Sequence, residues 1–123
     1  MTFNSTPPLN FEDLPILQKL VEVYKIWHNY LVHFPRLSRY TLGIKIDAIF
    51  TDCLELLLLA KYSDKNCKLS LINKAISKFD SLKFFLQIAW EIKSLDNKKY
   101  LRLSKPLAEV GRMLGGWRKQ CLK

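Results

Sequence analysis

An all-α chain folded as an antiparallel up-down four-helix bundle is the architecture this 123-residue sequence predicts. Three observations carry that expectation. Apolar side chains recur at steps of three and four through four separate segments, the period of a helix that turns one face to a core. The breaks between segments are about three to six residues, short enough to make successive helices antiparallel neighbours. Glycine and proline are scarce, 4 and 5 residues, and no stretch reads convincingly as a strand. A domain of this length buries a core without staples. There is no internal repeat and no low-complexity segment.

Residues 1–12, which hold Pro7-Pro8, read as a flexible lead-in, residues 13–119 as the bundle and 120–123 as a tail. Asp13 followed by Pro15 reads as a helix start, a capping carboxylate with proline in the first turn. Leu17, Val21, Tyr24, His28 and Leu31 then hold one face, widened by Leu20, Trp27 and Tyr30. Pro35 disfavours helical geometry at Phe34 and ends the element.

The second helix begins near Ser38 to Thr41 and runs to about Lys61. Its apolar residues Leu42, Ile46, Ile49, Phe50, Leu54, Leu57 and Leu58 cover more than one face, as in a central helix or one also buried against another subunit. The third runs from about Cys67 to Lys93, with Leu69, Ile72, Ile76, Phe79, Leu82, Leu86 and Ala89 inward. In the fourth, Tyr100, Leu103, Leu107, Val110, Leu114 and Trp117 alternate steps of three and four, a coiled-coil-like seam. Pro106 is expected to bend this helix or split off its first turns.

Lys and Arg number 20 against 11 Asp and Glu, a net charge of +9. So large a surplus on a small domain points to a polyanion, either nucleic acid or an anionic membrane surface; the bland alternative is a basic protein kept dispersed by its charge. Cys53, Cys67 and Cys121 share no CxxC spacing, and "MTFNSTPPLN" has neither the basic nor the apolar region of a secretory signal. Reduced, mostly buried thiols in a cytoplasm are expected. The longest apolar run, "CLELLLLA", is too short to cross a membrane.

The sequence offers no catalytic constellation. His28 and His33 are five apart, which does not give the shared face that metal ligands at i, i+4 need. Glu22, Glu55, Glu91 and Glu109 have no histidine three residues on, so the di-metal pattern of helix bundles is missing, as are a phosphate loop and paired Cys/His ligands. No catalytic residue, metal or cofactor is assigned, and the chain is not expected to be an enzyme by itself.

The basic residues are better organised. Lys98, Arg102, Lys105 and Arg112 recur at steps of three, four and seven opposite the seam of the fourth helix, interrupted by Glu109. Lys74 and Lys78 form an i, i+4 pair on the third helix, and Arg36 and Arg39 flank the first turn between helices. A charge row alone is also what a solvated face looks like. The net charge favours a phosphate-binding surface, because phosphate contacts need positive charge but no base-reading geometry. Trp27, Phe79, Trp90 and Trp117 fall on or beside apolar faces, so core packing is preferred to base stacking for them.

The segment "LAEVGRMLGGWRKQ", Leu107 to Gln120, holds three of the four glycines. Gly111 and Gly115 stand four apart, where missing side chains let another helix backbone approach. Gly115-Gly116 is suited to ending the helix in left-handed geometry with Trp117 folded back on the seam. A backbone–phosphate or partner contact at this end is the alternative.

Two segments carry a resemblance. "FPRLSRYTLGIKID" (Phe34 to Asp47), with its Tyr40-Thr41-Leu42-Gly43 motif, and "LAEVGRMLGGW" (Leu107 to Trp117) are similar to the small four-helix-bundle proteins that include the accessory variability determinant (Avd) of diversity-generating retroelements. Close cousins are encoded by intervening sequences inside large ribosomal RNA genes. The Tyr-Thr-Leu-Gly motif is shared broadly, whereas the Gly-Gly-Trp ending points toward the retroelement branch. The resemblance implies a basic, barrel-like pentamer that binds RNA or DNA and associates with a reverse transcriptase making mutagenised cDNA. It supplies no catalytic residues. The alternative it leaves is a homo-oligomeric structural protein of the intervening-sequence type without a polymerase partner.

Overall fold

The computed structural model describes residues 14–123, and every regular element among them is helical. Four long helices, α1 (Pro15–Leu31), α2 (Ile44–Tyr62), α3 (Lys65–Glu91) and α4 (Asn97–Cys121), pack antiparallel in ring order, each beside its chain neighbours and α4 against α1. The lead-in and the Asp13 cap lie outside the described residues. Leu14 is the N-cap of α1, without a side-chain hydrogen bond, and Pro15 takes the first turn. Its fixed φ and missing N–H suit that position.

Aspartates start α3 and α4. Asp64 accepts from Cys67 N at 3.0 Å and Asp96 from Lys99 N at 2.8 Å, each satisfying a backbone donor the helix cannot. The Asp64 cap starts α3 two residues before the expected Cys67, inside what reads as a polar break. The approach to α2 is helical from Arg36: one α turn, Arg36–Ser38, then a π turn, Arg39–Gly43. The Tyr40-Thr41-Leu42-Gly43 motif falls on this π turn, and its glycine has a packing reason. A Cβ on Gly43 would stand 2.7 Å from Leu31 Cδ1, so any larger residue makes the end of the Leu31 side chain shift to keep α1 this close.

The core runs along the bundle axis and contains no polar or charged residue among those described. At one end Trp27 meets Phe34 edge-on, with ring centroids 5.3 Å apart, and Phe50 meets Tyr24 edge-on at 5.5 Å. The phase of α1 differs from the expected one. Ile16, Leu17, Leu20, Val23 and Trp27 are buried, Val21 and Tyr24 are half-buried, and His28 is exposed rather than in a seam. Tyr24 leans to the side because its hydroxyl donates to Asp47 of α2 at 2.9 Å.

On α2, Ile46, Ile49, Phe50 and Leu57 are buried and Leu54 and Leu58 half-buried, as is Leu42 in the π turn before it, so the bundle itself absorbs most of the apolar breadth of this helix. What stays exposed lies before it, along its outer side and at its end: Leu37, Tyr40, Ile44, Leu59 and Tyr62. On α3 the expected face holds at Ile72, Phe79, Leu82, Leu86 and Ala89.

The seam of α4 holds at Leu103, Leu107, Val110 and Leu114, with Tyr100 and Trp117 half-buried at its ends. The glycine expectation for this helix is corrected, and of the two outcomes open for Pro106, a bend or a division, the division is excluded. Pro106 does not divide it, and Gly115-Gly116 do not end it: α4 runs unbroken to Cys121 and no glycine has positive φ. Pro106 has no N–H to offer the Arg102 carbonyl four residues back, and Arg102 lies on the exposed side of the helix. The true left-handed residue is Lys93, φ 65°, in the α3–α4 turn. Only Cys53 of the three cysteines is buried; Cys67 is exposed and Cys121 half-buried.

Candidate nucleic-acid interface

Lys98, Arg102, Lys105 and Arg112 are all exposed on α4. At 3.6 residues per turn these positions and Glu109 fall within an arc of about 80°. The seam residues point the other way, so the row is held out by the same packing that buries Leu103, Leu107 and Val110. Glu109 does not break it electrostatically. Lys19 of α1 reaches across to Glu109 Oε2 at 2.6 Å. That hydrogen bond, then the Lys19 charge, holds the Glu109 carboxyl below the usual carboxylate range, and Arg112 acts in the same direction. Lys19 is a member of this surface that sequence reasoning misses, because the pairing joins helices whose facing the chain alone does not reveal.

Lys74 and Lys78 do not join the row. Lys78 Nζ lies 3.3 Å from Asp52 Oδ2 of α2. Both lysines line an open groove of about 980 Å³ with Asp52, Glu55 and Ser77. The α4 row borders α1 while this pair borders α2, so the structure separates two basic sets. The second is of mixed charge.

The two arginines of the first turn also part ways. Arg36 is exposed. Arg39 is half-buried, and one terminal nitrogen donates to Val32 O at 3.0 Å and Phe34 O at 3.1 Å. These carbonyls sit just past α1, where helical partners run out. Arg39 therefore ties the turn together, and its buried Nε has no partner.

The glycine-rich end is equally specific. A Cβ on Gly111 would meet Phe79 Cε2 at 3.2 Å, so what approaches this glycine is an aromatic ring of α3 and not a helix backbone. Gly115 and Gly116 have nothing within 4 Å of an added Cβ. Trp117 rests half-buried on the core edge, and next to it Arg118 Nε donates to Asn73 Oδ1 at 2.8 Å. Of the aromatics assigned to the core, Trp27 and Phe79 are buried, but Trp90 is 37% exposed.

A surface of this kind is chemically able to hold phosphates without reading bases, because flexible cations on one helix face supply charge and no fixed donor pattern. No helix among the described residues is long and apolar enough to cross a membrane.

Comparison with known proteins agrees with the resemblance in the Tyr-Thr-Leu-Gly and Gly-Gly-Trp segments. No curated protein matches the chain. The family model described as bAvd-like matches residues 14–121, from the N-cap of α1 to the end of α4. The chain therefore belongs to the bAvd-like family, the bacterial accessory variability determinants, and that membership implies a noncatalytic accessory protein of a diversity-generating retroelement.

Proposed function

We propose that this protein binds nucleic acid through the outer face of α4 and associates with the retroelement's reverse transcriptase, supporting mutagenic cDNA synthesis as a cytoplasmic homopentamer. The observation that carries the nucleic-acid reading is the α4 row with its one acid neutralised: Lys98, Arg102, Lys105 and Arg112 stay exposed while Lys19 occupies Glu109. Family membership supports the polymerase partner. Leu37, Tyr40 and Ile44 support association between copies, since they form an apolar stripe 83%, 64% and 58% exposed. Exposed apolar side chains grouped in this way mark interaction surfaces.

The deciding experiment is a salt titration of single-stranded RNA and duplex DNA binding, for the wild type and for the double variant Arg102→Glu, Lys105→Glu. Binding falls steeply with salt and depends little on sequence. Each phosphate contact removed flattens the slope of log affinity against log salt by about 0.7–0.9. Equal affinities and slopes in the two proteins would reduce the row to a solvated face. Sedimentation as a monomer at micromolar concentration rejects the pentamer. Oligomers that never co-purify with the retroelement's reverse transcriptase favour a structural protein of the intervening-sequence type.

A further inference from the structure

Where α3 turns into α4, Trp90 stacks on Tyr100 with ring centroids 5.1 Å apart and planes 13° from parallel. Its indole Nε1 donates to Asn97 Oδ1 at 2.6 Å. The indole is thus held from two sides, yet it is 37% exposed. It lines an open cleft of about 740 Å³ with Glu91, Lys93, Leu95, Asp96 and Asn97. A large aromatic fixed in orientation but left more than a third exposed is a poor use of apolar surface for folding alone.

The residue beside it is stranger still. Lys93 has φ 65°, a region where glycine is the usual occupant. The turn closes around it by the hydrogen bond from Ser94 N to Ala89 O at 2.8 Å. A lysine is thus kept in the one backbone position among the described residues that favours having no side chain. Lys98 and Lys99 follow in the first turn of α4, with Lys99 Nζ 5.5 Å from the centre of the Tyr30 ring. Of the two carboxylates nearby, Asp96 is engaged as the helix cap and Glu91 is exposed.

We infer that this cleft takes one unpaired base of a single-stranded nucleic acid, stacked on the Trp90–Tyr100 platform with Lys93 and Lys98 on the flanking phosphates. The inference rests on the nucleic-acid reading above and adds to it a preference for single strands. Fixed aromatic planes interleaved with cations suit a base and its phosphates, because every base offers a π face and every nucleotide a charge. A duplex keeps its base faces covered by neighbours and has none to give. The site also lies where the α4 row begins. From Lys98 to Arg112 the row extends about 21 Å at 1.5 Å per residue, so a backbone tracking it arrives at the cleft.

The test compares an oligothymidylate of about twenty nucleotides, longer than a typical single-strand footprint, with an abasic deoxyribose-phosphate strand of equal length. The wild type binds the thymidylate about ten-fold more tightly than the abasic strand, the size of one base–aromatic stack. Trp90→Leu brings that ratio close to one while binding of the abasic strand persists, and Trp90→Phe retains part of it. Melting and sedimentation verify that each variant is folded and assembled; should Trp90→Leu unfold, an undiminished ratio in Trp90→Phe rejects the site. A wild-type ratio of one, or a full ratio in folded Trp90→Leu, overturns the inference and leaves the phosphate-binding row standing. A wild type that binds neither strand overturns both.

Discussion

The edge of the Phe79 ring lies so close over Gly111 that a Cβ there would stand 3.2 Å from Phe79 Cε2. The same helix carries Gly115 and Gly116 with open space where a Cβ would go. In a helix interior, glycine to alanine gains about 0.8–1 kcal/mol of propensity. Gly115→Ala and Gly116→Ala are therefore expected to stabilise the protein by about that amount each. At Gly111 the gain is offset, because the Phe79 ring is buried and has little room to yield. Urea midpoints test the order: Gly111→Ala should fall below Gly115→Ala by roughly 1 kcal/mol. Equal stabilisation at the two sites would mean that the ring moves freely.

A second expectation concerns Asp47. Its Oδ1 accepts both from Tyr24 Oη at 2.9 Å and from Trp27 Nε1 at 3.1 Å, joining α2 to α1 twice through one atom. Trp27 is fully buried, so removing the acceptor leaves an indole N–H with no water to turn to. Asp47→Ala should cost about 1–3 kcal/mol for the orphaned donor, more if the hydroxyl of Tyr24 is also stranded. Asp47→Asn keeps a carbonyl oxygen in place and should lose less. Thermal melts in which the two variants are indistinguishable would show that the acceptor does not matter.

How much of this was legible in the chain varies with what each signal depends on. The seam of α4 was readable because its apolar residues form one narrow stripe among polar ones, which admits a single phase. On α1, Ile16, Leu17, Leu20, Val21, Val23, Tyr24 and Trp27 cover a wide arc. Many phases bury a similar set, and the choice falls to the cross-helix bond from Tyr24 to Asp47. The glycine pair suggested a helix end because Gly-Gly is a local stop signal, yet the helix stays regular through Gly115 and Gly116. For the candidate site, the exposure of the α4 row followed from its position opposite the seam. Its separation from Lys74 and Lys78, the pairing of Lys19 with Glu109 and the loss of Arg39 to the turn all depend on which helix stands beside which.

Cys53 sets an alkaline limit. Burial first, then the nearby Asp52 charge, pushes its thiol up from 9.0 to about 12, with Lys78 opposing. Below the unfolded value both states keep the proton, and the contribution is constant. Between 9.0 and about 12 the unfolded thiol ionises while the folded one does not, so stability falls as pH rises. The slope from this group alone is about 1.4 kcal/mol per pH unit. Cys53→Ala starts less stable because it leaves a small cavity, but its deficit against the wild type should narrow by about 1 kcal/mol between pH 9 and 10, where the unfolded thiol is only partly ionised at the start. A deficit that stays constant across this range would show that Cys53 ionises normally. A thiol reagent at neutral pH should modify exposed Cys67 and spare buried Cys53 in the native protein.

Lys93 allows strain and charge to be separated at one position. An L residue in the left-handed region costs about 1–2 kcal/mol that glycine avoids. Glycine returns part of this through the greater freedom of its unfolded chain, so Lys93→Gly should gain roughly 1 kcal/mol. Lys93→Ala removes the same charge but keeps the strained backbone, and should gain nothing. If Lys93 holds a phosphate beside Trp90, both substitutions weaken thymidylate binding and flatten its salt slope by about 0.7. Stability and binding would then move in opposite directions for glycine, and only binding would move for alanine. Urea unfolding and salt titrations on the three proteins read the two effects independently. A glycine variant no more stable than the wild type removes the strain argument. Unchanged salt slopes in both variants remove Lys93 from the binding surface whatever the stability shows.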